Sequence, residues 1–536
     1  MNFELVDLII VAGYFIAVFC IGFYFSGKDR NSTDYFLAGR HVAWYAIGAS
    51  LFASNISSEH FIGLASSGYK SGLAVGNFEW SACLVVLILA WFFVPFYLKS
   101  GVFTMPEFIE KRFNSSSRWY LTTVSIIAYV LTKVSVTLYA GGILLQHIFG
   151  WDLYTSAMVM VLATGLYTVA GGLASVIYTE FIQTIVLITG ALLLTVIGLN
   201  ELGGFQALQS KVPADFFSMF KPMSDPEYPW TGIVFGTPII GIWYWCTDQF
   251  MVQRVLSAKN IDHARAGSIS SGYLKILPVF ILVMPGIIAK ALYPDIEPNA
   301  AYPTIVSNLL PAGIKGIVVA GLLAALMSSL ASCFNSSSTL FTLDIYKKLR
   351  PQAPESSLIN VGRFATCVLI VLGILWVPFI DQISSQIFLY LQSMQAYIAP
   401  PITAVFIIGI IWARANGTGA IYVLLVGFVI GATRFILEIT NHHYGLANYY
   451  LRYFAEINFL HFAVFLFILS AAILIILSLL TEKPPMEKVR GLTLKYANSM
   501  TLEASYMSEG VKWKKINIIA SVFLVVILSF LWFVFF

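Results

Sequence analysis

Charge is what this sequence lacks. Only 11% of its 536 residues are Asp, Glu, Lys or Arg, whereas a soluble domain carries about 25%. So few charges cannot cover a water-soluble surface, which rules out a soluble helical protein. Cysteine is scarce as well. Cys20, Cys83, Cys246, Cys333 and Cys367 all lie inside apolar segments. That placement argues against disulfides and zinc sites and leaves small packing residues. There is no His-Glu-x-x-His, no Gly-x-Ser-x-Gly and no phosphate-binding loop, so an intramembrane enzyme is the weakest functional class. No small-residue cleavage site follows the apolar run from Leu5 to Phe25, and that run is too long for a signal-peptide core. It reads as a first membrane span.

What is present is hydrophobic residues, 58% of the chain, in recurring runs of about 20, the length that crosses a bilayer as a helix. The expected architecture is an all-α polytopic membrane protein with about 14 transmembrane helices. Their approximate ranges are 5–26, 43–67, 73–98, 117–149, 154–170, 173–200, 230–256, 268–293, 314–346, 358–380, 386–413, 417–438, 455–481 and 513–536. With the N-terminus outside, 22 of the 31 Lys and Arg fall in or beside cytoplasmic loops and 7 on the outer side; Lys133 and Lys275 lie within spans. This bias obeys the positive-inside rule and places both termini outside. No soluble domain interrupts the chain. Residues 201–229 read as an outer loop and 482–512 as a cytoplasmic linker. Asn31-Ser-Thr matches a glycosylation acceptor but faces the cytoplasm in this topology.

Ionisable residues inside spans are costly and mark function. They are Glu59, His60, Glu79, Lys133, Glu180, Asp248 and Lys275. Five of these seven lie in spans two, three, seven and eight, which points to one shared site. The stretch Ser54-Asn-Ile-Ser-Ser in span two has poor helix propensity, because Ser and Asn compete for backbone hydrogen bonds. A helix unwound there frees carbonyl oxygens at membrane depth, as discontinuous transporter helices do when they bind Na⁺. In span nine, Ser328, Ser329 and Ser332 fall on neighbouring helical positions, with Asn335 one turn on. Their hydroxyls suit a small hard cation, although small-residue helix packing explains the serines equally well on its own. Tyr244 and Trp245 in span seven offer rings for stacking on a sugar or for an interfacial belt. Gln392 in span eleven places an amide, both donor and acceptor, at mid-span.

The motifs "DYFLAGR", "GASLFASNISSEHFIGL", "NFEW", "VIYTEFIQT", "IWYWCTDQ", "VQR", "YLKILPVF", "SSLASCFNSSSTLFTLDIYKK" and "LQSMQAYIAPP" occur in this order between residue 34 and about 410. Together they resemble the solute:sodium symporter family, in the branch of sodium/glucose cotransporters and the bacterial sodium/galactose symporter. The resemblance implies a LeuT-type core of two inverted five-helix repeats, residues 43–200 and 230–413. Residues 1–42 would precede the core, and three peripheral helices in 414–536 would follow it. It further implies Na⁺ as the coupling ion, bound by the Ala53, Ile56 and Ala325 carbonyls and the Ser328 and Ser329 hydroxyls. The implied sugar site is Asn55, His60, Glu79, Tyr244, Trp245, Lys275 and Gln392. Leu64, Phe78 and Phe388 would be outer gates, and Glu180 with Ser332 a second sodium or coupling site. His60 matches the animal glucose transporters, whereas Gly241 and Ala82 replace an Asn and a Ser of the bacterial galactose site. Glucose or a near relative is therefore favoured.

The expected function is Na⁺-coupled symport of a neutral hexose across a plasma membrane by alternating access. The compact loops point to a bacterial inner membrane. The competing readings are symport of another polyol or a sialic-acid-like solute, and a sugar sensor that does not transport. No Arg lies near residues 55–82 to receive a carboxylated substrate. An intact Gln392, and no attached signalling domain, favour transport over sensing.

Overall fold

The computed structural model describes residues 4–25, 31–380, 387–499 and 507–536. Among them the chain is helical throughout, apart from two isolated β-bridges. Eleven helical stretches are long and apolar enough to cross a membrane. The other three expected spans fall short of that measure. Tyr154–Val169 is a shorter apolar helix, and the expected spans 43–67 and 230–256 are each interrupted. All five cysteines are free.

The bundle has a centre and a rim. In the most apolar window of Ile314–Leu349, 94% of residues are buried, against 17% in Val511–Val534. The first helix is therefore wrapped by others. The second turns Ile519, Val522 and Phe530 outward, an apolar face that only lipid solvates. Around the centre run Leu5–Phe25, Trp44–Asn55 and the 50-residue Leu153–Leu202, which packs most extensively on Ile314–Thr339.

Leu153–Leu202 joins two expected spans through a kink at Gly172, φ 55° and ψ −155°. A side chain there would sit in the left-handed region, with its Cβ 2.6 Å from the Tyr35 carbonyl oxygen, so glycine is required. The outer loop carries the short helix Phe205–Lys211. Asn31 caps Ser32–Leu37 by accepting from the Asp34 N–H.

Two interruptions position the site. Trp44–Asn55 ends where Ile56 (φ −80°, ψ 114°) and Ser57 (φ −131°, ψ −174°) become extended, and Ser58–Ser71 restarts the helix. The Ser/Asn run predicts this break. The second was not expected from sequence. Trp230–Ile242 widens into a π-helical turn, Trp243–Thr247, and stops at extended Asp248 (φ −81°, ψ 129°) before Gln249–Leu256 begins.

Candidate functional site: a cavity between two broken helices

The two breaks face a cavity of about 80 Å³, room for several waters. Asn55, His60, Glu79, Tyr244, Trp245, Lys275 and Gln392 all line it. Phe78 also lines it, whereas Leu64 is fully buried in the apolar core and does not. Phe388 lies outside the residues whose side chains are described. Glu59, Lys133, Thr137 and Gln395 line the cavity as well, though the motifs do not single them out as contacts.

Lys275, 1% exposed, pairs with Glu79 and donates to Asn55 Oδ1. The Asn55 amide donates to the Tyr244 hydroxyl at 3.2 Å. His60 Nδ1 accepts the Ser57 backbone N–H at 3.4 Å, which places its proton on Nε2, 3.8 Å from Glu79 Oε1. The wall is thus a row of polar atoms whose formal charges cancel. Such a wall suits hydroxyls, and it offers no unpaired cation to a carboxylate.

Behind Asn55 the same unwound segment turns to Ile314–Thr339. Ser328 Oγ donates to the Ala53 carbonyl at 2.6 Å and the Ala325 carbonyl at 3.1 Å. Ser329 Oγ lies 3.1 Å from the Ser54 carbonyl and 3.5 Å from that of Ile56. The five oxygens expected from the resemblance thus lie in two hydrogen-bonded groups on adjacent serines. They are hard donors without net charge, at the carbonyl end of a half-helix where the macrodipole is negative. The set fits a monovalent hard cation.

Glu180 and Ser332 also meet, but in other company. Ser50, Ser54 and Ser332 all donate to the Glu180 carboxylate, and Arg254 Nη2 lies 3.2 Å from it. The Arg254 guanidinium also donates to Ser332. Both charged side chains are fully buried. By sequence Arg254 counts as a cation flanking a cytoplasmic loop; the structure instead draws it into the bundle.

The second break is built around Asp248. Its carboxylate caps Gln249–Leu256, accepting the Phe250 N–H at 3.3 Å. It also receives the Tyr129 hydroxyl and lies 2.6 Å from Lys133 Nζ. An Asp following an aromatic run and preceding a helical segment is a cap signal. The sequence carries that signal at Asp248.

Comparison with known proteins fits this geometry. The model of the Sodium:solute symporter family matches residues 35–427. The chain is 42% identical to sodium/glucose cotransporter 4 of Danio rerio, over 91% of this chain and 81% of that protein. It is 41% identical to the sodium/myo-inositol cotransporter of Canis lupus familiaris, over 94% and 77%. A solved Na⁺-coupled sialic acid symporter, substrate-bound and outward-open, matches with a TM-score of 0.78 at 24% identity, over 90% of this chain and 99% of that one. A nucleobase-cation-symport-1 family transporter in a closed conformation matches at 0.56 and 13% identity, over 85% and 98%. These likenesses show the fold, an all-α LeuT-type inverted-repeat bundle. The family match over residues 35–427, together with relatives above 40% identity along nearly the whole chain, makes this protein a member of the sodium:solute symporter family, a multi-pass membrane transporter coupled to Na⁺.

Proposed function

We propose that the chain carries a neutral sugar, a hexose of the glucose or galactose type, across a plasma membrane together with Na⁺ by alternating access. The observation that carries this reading is the shared segment Ala53–Ser57. One side of it gives carbonyls toward Ser328 and Ser329, and the other gives Asn55 to the Lys275–Glu79 wall. A cation that orders the segment also presets Asn55 and, through the Ser57 N–H, His60. Ordering shared between two sites is a coupling free energy. A sugar hydroxyl between His60 Nε2 and Glu79 Oε1 would donate to the carboxylate and accept from the imidazole. Tyr244, Trp245 and Phe78 line the cavity with aromatic rings.

A cyclic polyol is the second reading. Relatives about equally similar to this chain include both glucose and myo-inositol cotransporters, and the row of donors and acceptors does not demand a ring oxygen. A sialic-acid-like solute is disfavoured, because Lys275 and Lys133 are each already paired with a carboxylate. In this reading residues 43–200 and 230–413 are the two repeats, both termini lie outside, and the short loops favour a bacterial inner membrane. Counterflow in proteoliposomes tests it, with labelled glucose, galactose, myo-inositol and sialic acid, each with Na⁺ or choline. Na⁺-dependent exchange of glucose or galactose is expected. Exchange of myo-inositol alone would move the assignment to the polyol, and equal uptake in choline would sink sodium coupling.

A further inference from the structure

At the first break the freed backbone offers carbonyl oxygens to a diffusible cation. At the second, a cation is already in place and is part of the chain. Lys133 projects from the π-helical turn Tyr129–Val134, with its ammonium 2.6 Å from Asp248 Oδ2. Aromatic rings close around it, with centroids at 3.8 Å for Phe250, 4.6 Å for Tyr244 and 4.9 Å for Tyr129. The ammonium therefore has one carboxylate and several π faces, the surroundings of a bound cation rather than of a surface lysine. Tyr244 links the two breaks: its hydroxyl receives Asn55 and its ring lies over Lys133.

We propose that Lys133 is a tethered cation that does for the second broken helix what Na⁺ does for the first, and that it thereby keeps Asp248 from taking a second alkali ion. Charge placement around the site agrees: Glu79 pairs with Lys275, Glu180 with Arg254 and Asp248 with Lys133, so each of these three carboxylates already holds a cation of the chain. The proposal makes Lys133, which also lines the cavity, a positioning residue that holds Asp248 and its capped helix.

The test is equilibrium binding of radioactive Na⁺ to purified full-length protein in detergent, with choline holding ionic strength constant. The wild-type chain should bind one ion. Lys133→Ala should bind two, with the second lost again in the double variant Lys133→Ala/Asp248→Asn. Lys133→Arg, which keeps the charge tethered, should bind one. In proteoliposomes, charge moved per sugar should rise from one toward two in any Lys133→Ala protein that still transports. If Lys133→Ala is not recovered folded, Lys133→Gln is read in the same way, since it removes the charge but keeps hydrogen-bond donors. One ion in both the wild type and the uncharged variant overturns the proposal, as do two ions in the wild type. A purely structural lysine would lower yield or uptake without changing the ion count. The inference rests on sodium coupling and not on the identity of the sugar. A wild-type chain that binds no Na⁺ would fail that coupling, whereas an unchanged count of one fails this inference alone.

Discussion

At the first break the Ser328 and Ser329 hydroxyls meet only backbone carbonyls in these contacts; at the second, Asp248 caps the restarted helix and Lys133 neutralises it. Both devices solve the same problem, which is backbone polar groups left unpaired at membrane depth. An oxygen cage without charge needs an ion to be complete and releases it again cheaply. An ion pair within the chain is permanent. On the proposed function, the first break is the one that responds to sodium, and the second stays paired whether or not the ion is bound. A third cluster, Glu180 with Arg254, lies next to the first break through Ser54 and Ser332 and belongs to the permanent kind.

The sharpest way to break the contrast is to make a permanent pair incomplete. Arg254→Met leaves the Glu180 carboxylate fully buried without its cation, a loss worth about 3–5 kcal/mol. The variant should unfold at markedly lower temperature in detergent. The double variant Arg254→Met/Glu180→Gln should recover most of that stability, since a neutral amide keeps partners in Ser50, Ser54 and Ser332. Equal stability of wild type and the single variant would show that this cluster is solvated during the cycle.

That cluster also shows where sequence reading stops. The first break was legible because Ser-Asn-Ile-Ser-Ser disfavours helix locally. The cavity-lining residues Asn55, His60, Glu79, Lys275 and Gln392 were legible because motif positions carry them. The second break carries only the Asp248 cap signal, since Trp243–Thr247 is aromatic and β-branched without Gly, Pro or Ser to mark a stop. Its geometry is fixed by Tyr129 and Lys133, more than a hundred positions away. Arg254 was misplaced for the same reason. Its neighbours Ser257 and Lys259 read as loop, and only the packing of Gln249–Leu256 against Ile314–Thr339 puts it inside. Leu64, expected as a gate, lies buried in the apolar core in this conformation and does not line the cavity.

A smaller change tests the ion-dependent break. Ser329→Ala removes one hydroxyl oxygen from the cage, at about 1–3 kcal/mol. Half-saturation by Na⁺ should rise by roughly fivefold to a hundredfold, with sugar affinity at saturating Na⁺ nearly unchanged. Flux measured against Na⁺ concentration decides it. Sodium dependence that stays the same would move the ion elsewhere. Gln392→Leu is the converse: apparent sugar affinity should fall over a similar range of roughly 1–3 kcal/mol, while the Na⁺ requirement stays. An unchanged apparent affinity would remove Gln392 from the sugar wall.

Smaller still is an ion cluster outside the spans. Partial burial raises the Glu110 carboxyl, but hydrogen bonds from Lys348 and Arg118 outweigh it and hold the group at about 2. Because the folded value lies below the ordinary one, Glu110 stabilises the fold above the usual carboxylate range, and the contribution is lost as pH falls toward 2. Glu110→Gln should therefore lower the unfolding temperature slightly at pH 7, with the difference from wild type shrinking by pH 3. A difference that is constant with pH would mean that packing, not charge, matters there.

The smallest expected effect is the most discriminating. Ala331 is fully buried beside Ser332, a position where a hydroxyl would add an oxygen next to the Glu180 cluster. If a missing oxygen were what limits this chain to one ion, Ala331→Thr would raise the coupling number. The structure gives another reason for one ion: the Glu180 carboxylate is already engaged by the Arg254 guanidinium and three serines, so an added hydroxyl meets an occupied acid. Charge moved per sugar should stay at one in Ala331→Thr, at some cost in stability from the larger side chain. The energetic readout is wide. One ion falling through 100 mV releases about 2.3 kcal/mol, and a tenfold gradient adds about 1.4 kcal/mol. Together these support sugar accumulation of a few hundredfold, and two ions support the square of that. A reversal-potential measurement separates the cases: a ratio near two in the wild type would mean that Arg254 leaves Glu180 during the cycle, and the contrast between permanent and ion-dependent clusters would then hold for the Lys133–Asp248 pair alone.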